Sequence, residues 1–203
     1  SGVAGQAGAS GSLGNYVQRG ADAWTAWTDA NLINITGTQG LDLLHQAFDL
    51  VANSSASFIT DDLFRKGIPI SFDGDPFQAG GGCEGAIACF SGGFWDFPSA
   101  PHPPPQLYFN PDFLSESAAA LAPVLIHEGT HAGQYLDLSS ADPANTVVDI
   151  EFEAFWNQAV YWSDNREGRL PITTALERQV EFVYQTAALG EAALRDLIAA
   201  NYT

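Results

Sequence analysis

Basic residues are scarce in this chain. Seven Lys and Arg face twenty-four Asp and Glu across 203 residues, a formal net charge of −17. Proteins hold phosphate backbones with Lys and Arg, so no nucleic-acid partner is expected, and an anionic membrane surface is disfavoured for the same reason. No run of eighteen apolar residues exists, so no segment reads as a membrane span. No charged stretch followed by an apolar one opens the chain, so no signal peptide is read there. Charged residues make up only 15%, which is low for a halophile-like surface, and the acidity reads as solubility in an extracellular setting. Cysteine is nearly absent too. Cys83 and Cys89 stand alone in "GGGCEGAIACFSGG". A loop this short can be bridged if the backbone turns back on itself, whereas paired cysteine metal ligands usually sit closer together and need partners. A disulfide is therefore expected, with a secreted, extracellular or periplasmic location. Asn34, Asn53 and Asn201 each open a glycosylation sequon, which matters only in a eukaryotic secretory pathway.

What is present suits a folded domain. Apolar residues make up 46% and aromatic ones 12%, enough for one substantial core. Residues 1–15 are a Gly/Ala/Ser leader, and residues 16–203 read as a single domain. Apolar spacing of three and four predicts helices over 16–30, 41–53 and 57–66, the last ending at Gly67. The middle turns to short alternating runs, "IPISF", "AIACFSGGF" and "QLYFN", broken by Gly- and Pro-rich loops. About three strands are expected there. Helices return over 118–136, 146–162, 173–189 and 191–201, with Pro123 expected to kink the first or mark its true start and Gly190 separating the last two. The expected class is α+β and mostly helical. A small mixed or antiparallel sheet packs on an active-site helix, and the C-terminal half is helical.

The chemistry concentrates in "LIHEGTHAGQ", residues 125–134. On a helix, residues i and i+4 project side by side, so His127 and His131 can share one zinc ion. Glu128 lies about 100° round the helix from His127, out of that shell but within reach of a water on the metal. This is the H-E-x-x-H arrangement, with the glutamate as general base. Random placement of four His and nine Glu would give the five-residue pattern about three times in a thousand such chains. Gly129 and Thr130 are small enough for tight packing beneath the site.

A catalytic zinc usually takes three protein ligands and keeps one position for water. No histidine follows His131. Acidic residues do follow, in "TVVDIEFEAFWNQAVYW". Apolar residues cover nearly every face of that helix, so it is expected to be buried, and a buried carboxylate needs a partner. Asp149 suits the first turn, where the helix dipole favours it. Glu151 and Glu153 have no such excuse, and a zinc ion would satisfy one of them.

"HEGTH" followed twenty residues later by the first glutamate of "EFEAF" resembles the gluzincin zinc metallopeptidases, the group that includes thermolysin. The resemblance covers residues 107–162 and implies a zincin-like fold, a Zn2+ site of His127, His131 and Glu151, and Glu128 as base. Glu153 is the fallback third ligand. "LYFN" resembles the edge strand on which such enzymes align an extended peptide or protein substrate. One position departs from thermolysin: the residue four after the ligand glutamate, an aspartate there that orients a histidine, is Phe155. Tyr161, Tyr184 and His102 are candidate donors to an oxyanion. Gln134, one turn beyond His131, either faces water or lines the cleft. His45 and the tryptophans Trp24, Trp27, Trp156 and Trp162 read as helix and core residues, and Trp95 as a possible cleft residue. The expected function is peptide-bond hydrolysis by a metal-activated water. The alternatives are a zinc-binding recognition or adhesion domain without turnover, and a zinc hydrolase acting on a non-peptide amide.

Overall fold

The structure is a computed structural model and describes residues 21–91, 104–137 and 146–202. The leader, Trp95 and His102 lie outside the described residues. The elements run α1 (Ala21–Asn31), α2 (Thr38–Ala52), α3 (Ser57–Lys66), β1 (Ile70–Phe72), β2 (Ala88–Ser91), β3 (Gln106–Phe109), α4 (Ala118–Asp137), α5 (Val147–Asn165), α6 (Ala175–Ala188) and α7 (Glu191–Tyr202). The protein is α+β and mostly helical, with a small mixed sheet.

Local chemistry sets the helix ends. Gly67 closes α3 in the left-handed region (φ 60), which a side chain would strain. Thr146 caps α5 and Thr174 caps α6, each closing a reciprocal box with an acid three residues on, Asp149 and Glu177. Asp149 thus has a first-turn role and is not a spare carboxylate. α4 begins at Ala118, so Pro123 lies inside it and does not mark its start.

The sheet order is β1-β3-β2. β1 pairs parallel to β3, with Ile70 beside Leu107, and β2 pairs antiparallel to it, with Cys89 beside Tyr108. β3, which carries "LYFN", is therefore the central strand, a correction to the expectation above, and β1 and β2 are the two edges. The Asn110 N–H donates to the Ile87 carbonyl at 2.9 Å, so odd-numbered residues of this segment turn their backbone groups toward β3. Ala88 and Phe90 turn theirs away.

One main core joins the sheet to α2, α3 and α4, with Phe48, Phe72, Leu107, Phe109, Leu121 and Ile126 buried in it. α4 is the central element: Ala120, Leu121, Ala122 and Ile126 are fully buried. α5 is not buried on all sides, contrary to its composition. Trp156 is 40% and Val160 44% exposed on its outer face, while Trp162 is fully buried. Trp156 stacks on Phe152 (centroids 5.6 Å apart), so its bulk is covered by a neighbour and not by the core. Trp27 is half-buried against Phe64, centroids 4.6 Å apart. Cys83 and Cys89 form a disulfide. No helix among the described residues is long and apolar enough to cross a membrane.

Candidate metal centre

α4 presents His127, Glu128 and His131 from its central stretch. Its placement rests on close packing: a Cβ on Gly129 would come within 2.3 Å of Ile59 Cγ2, so only glycine lets α3 approach at this depth. Thr130 donates back to the Ile126 carbonyl and accepts from Asn157 of α5 at 3.2 Å, which ties the two helices together next to the histidines.

Across this junction Glu151 meets both imidazoles. His127 Nε2 and His131 Nε2 lie 3.3 Å apart. Glu151 Oε2 is 3.4 Å from His127 Nε2, and Oε1 is 3.6 Å from His131 Nε2. These separations are long for N–H···O bonds, which run about 2.7–3.2 Å. They match the edges of a tetrahedron: ligands about 2.0–2.1 Å from a zinc-sized ion stand about 3.3–3.4 Å from one another. Glu151 Oε2 is also buried without a hydrogen-bond partner, a costly state that a cation relieves. The donor set, its spacing and this orphaned oxygen together fit a metal ion, and among the described residues it is the only group that does so.

The electrostatics of the metal-free group point the same way. Burial works against charge on both His131 and Glu151, and their mutual interaction outweighs it. With help from Glu128 and Gln134, the Glu151 carboxylate raises His131 to about 9. The two imidazoles lower Glu151 to about 2. A proton is held where a metal would otherwise sit.

The histidines are oriented by two different means. His131 Nδ1 lies 2.9 Å from Gln134 Oε1. Gln134 Nε2 donates to the Ile150 carbonyl at 3.0 Å and to Glu153 Oε2 at 2.9 Å. Both of those partners only accept, so the amide oxygen faces the imidazole and Nδ1 carries a proton; once the second proton leaves, the Nε2 lone pair points into the group. Gln134 is therefore the orienting residue, and Glu153 holds Gln134 and stands apart from the triad. His127 has no such partner among the described residues. Its Nδ1 is buried and unbonded, and its ring packs edge-on against Phe155 with centroids 4.3 Å apart. The Phe155 ring holds His127 by contact and not by a hydrogen bond.

Glu128 is 8% exposed and accepts from the outward-facing N–H of Phe90 in edge strand β2, at 2.9 Å. A cavity of about 310 Å3 opens beside it, lined by His127, Glu128, Phe155, Gln158, Tyr202 and the stretch Gly85–Ala88. That stretch lies within the ring closed by the Cys83–Cys89 bond, so the disulfide braces one wall. Tyr161 is 1% exposed in the core, and Tyr184 packs against the core with Arg166 over its ring at 5.0 Å; neither lines the cavity. The cavity's phenol belongs to Tyr202, whose ring meets Phe155 at 6.0 Å. Burial raises its pKa, and Glu151 and Glu128 push the same way, so it stays a protonated donor although the residue is 45% exposed. Sequence reasoning passed over Tyr202 because it sits fifty-one residues beyond Glu151 with no motif around it. His45 pairs with Asp29 at 3.2 Å and takes no part in the group. No protein-family model, curated protein or solved structure matches this chain.

Proposed function

We propose that this chain is a zinc-dependent peptidase of the gluzincin type, with His127, His131 and Glu151 as the metal ligands and Glu128 as the general base. The observation that carries the reading is the triad at tetrahedral-edge spacing with a glutamate next to the first histidine and one carboxylate oxygen already anchored. A His2Glu set favours zinc among the common metals. Bound there, zinc supplies an acidified water, with pKa near ~7, and polarises a carbonyl.

The chain's own residues do the rest. The Phe90 N–H fixes one Glu128 oxygen, and the other has no partner among the described residues. Glu128 takes the proton from the attacking water and passes it to the leaving amine. Tyr202, held protonated, donates to the oxyanion that develops on the substrate carbonyl. The outward backbone of Ala88, on edge strand β2, offers an extended peptide a place to pair. The Cys83–Cys89 disulfide supports a secreted location. A purely structural or adhesive zinc site has no use for Glu128, which sets the recognition reading below this one.

A mixed peptide library tests the proposal. Cleavage should require added zinc, vanish with a chelator, and fall at least about a hundredfold in Glu128→Gln while zinc stays bound. Full zinc occupancy with no peptide cut would overturn it.

A further inference from the structure

The cavity beside the triad contains one group that nothing in the fold explains. Gln158 is 5% exposed and lines the cavity together with His127 and Glu128. Its carboxamide has no hydrogen-bond partner among the described residues. The carboxamide is reached from the cavity and not sealed in the core, so it is free to bond whatever enters the cavity. Its position follows from helix geometry. Glu151, Phe155 and Gln158 stand at i, i+4 and i+7 on α5 and so share the face turned to α4. The metal ligand, the ring that packs on His127 and the open amide therefore form one stripe.

Ile87, Ala88, Phe113, Val124, Val180 and Val183 make the apolar part of the lining, and Gln179 and the Tyr202 phenol add further polar groups. Among the described residues no Lys or Arg lines the cavity, and Glu128 is its only carboxylate. A carboxylate inside would meet Glu128 unpaired, and an ammonium would neutralise the carboxylate that the proposed reaction needs. At about 310 Å3 the cavity lies at the small end of small-ligand sites, which span ~300–1,000 Å3. That is room for one large side chain and not for a folded segment. The flat rings of Phe113 and Phe155 suit an aromatic occupant. The open carboxamide offers a donor and an acceptor, which a phenol hydroxyl matches and a bare phenyl ring does not.

We infer that this cavity is the subsite for a tyrosine side chain of the substrate, with Gln158 reading its hydroxyl. The inference rests on the peptidase reading for the word substrate, while the recognition itself requires no turnover.

The test has two arms. In the first, N-acetyl-tyrosinamide and N-acetyl-phenylalaninamide are titrated into the full chain, with and without zinc, and the side-chain NH2 resonance of Gln158 is followed by NMR. The tyrosine ligand should bind about tenfold more tightly and shift that resonance, because a site built around a hydrogen bond rejects the analogue lacking it. Gln158→Leu should bring the ratio to about one and leave zinc binding intact. Ala86→Phe, a substitution in the half-buried loop wall, should block both ligands without touching α5. Equal affinities in the wild type would mean that water alone occupies Gln158 and would overturn the inference, as would a ratio unchanged in Gln158→Leu or no binding of either ligand. In the second arm, peptides differing only in Tyr, Phe, Lys or Glu at each position are offered to the zinc-loaded protein. A tyrosine preference in binding with no peptide cut would sustain the subsite and sink the peptidase reading. Cleavage that ignores tyrosine and is unaltered by Gln158→Leu would do the reverse.

Discussion

The two helices that meet at the candidate metal centre are built in opposite ways. α4 has core on nearly every side, and Gly129 lets it sit against Ile59. α5 has one buried face and one open face, where Trp156 and Val160 meet solvent. The two histidines ride on the element fixed by packing. Glu151 rides on α5, which buries Tyr161 and Trp162 in the core and adds directional ties: Asn157 to Thr130, and Gln134 to Ile150 and Glu153. Packing fixes an element to a fraction of an ångström. Polar ties, and a metal ion if one binds, would add to the packing of the second element.

The largest expected effect comes from the metal, which should act on α5 more than on α4. A ligand that binds only the folded state at a thousandfold excess over its Kd adds about 4 kcal/mol of stability. Zinc should raise the melting temperature and slow hydrogen exchange chiefly in α5. Equal slowing in both helices would erase the distinction between them. The metal-free protein should depend on pH in a defined direction. His131, raised from 6.5 to about 9, stabilises the fold fully below 6.5 and loses that contribution as pH rises through 9. Glu151, lowered from 4.5 to about 2, contributes above 4.5 and loses it as pH falls through 2. The pair therefore favours the metal-free fold most between pH 4.5 and 6.5. Zinc must displace the His131 proton, so its affinity should drop as pH falls below about 9. A metal affinity flat from pH 9 to pH 6 would contradict this.

Next in size is the packing of α4. Gly129→Ala places a methyl 2.3 Å from Ile59 Cγ2 and should cost about 1–3 kcal/mol in urea denaturation. A combined Ile59→Val should recover part of that loss. Breaking the tie instead of the packing should have another signature. Gln134→Leu should weaken zinc binding about 10–100-fold by freeing the His131 tautomer while leaving the melting temperature of the metal-free protein nearly unchanged. The smallest effect belongs to the open face of α5. Trp156→Ala should stay within about 0.5 kcal/mol beyond its stacking on Phe152, whereas fully buried Trp162→Ala should cost about 3–5 kcal/mol.

Much of this was legible in the sequence, for reasons that differ by element. The C-terminal end of α3 and the Gly190 break follow from glycine's access to positive φ, a local property. His127, Glu128 and His131 needed only helical spacing. Glu151 was reached through an expectation of burial on all sides that proved wrong for Trp156 and Val160; its own face is nonetheless buried, which is the part that mattered. Strand order was not legible: β3 lies between β1 and β2, and nothing local in "QLYF" marks a central strand. Gln134 was marked by position alone, since its role depends on Ile150 and Glu153 sixteen and nineteen residues away. Tyr202 and Gln158 become visible only when α5, α6 and α7 close around one cavity.

Metal content tests the central claim most directly. The purified wild-type protein, loaded and dialysed, should hold one zinc ion per chain. Glu151→Ala should lose it, with affinity down by more than about tenfold, and Glu153→Ala should keep the ion with only a modest loss through Gln134. A wild-type protein that holds no metal, or a Glu151→Ala variant that binds zinc as tightly as the wild type, would contradict the account.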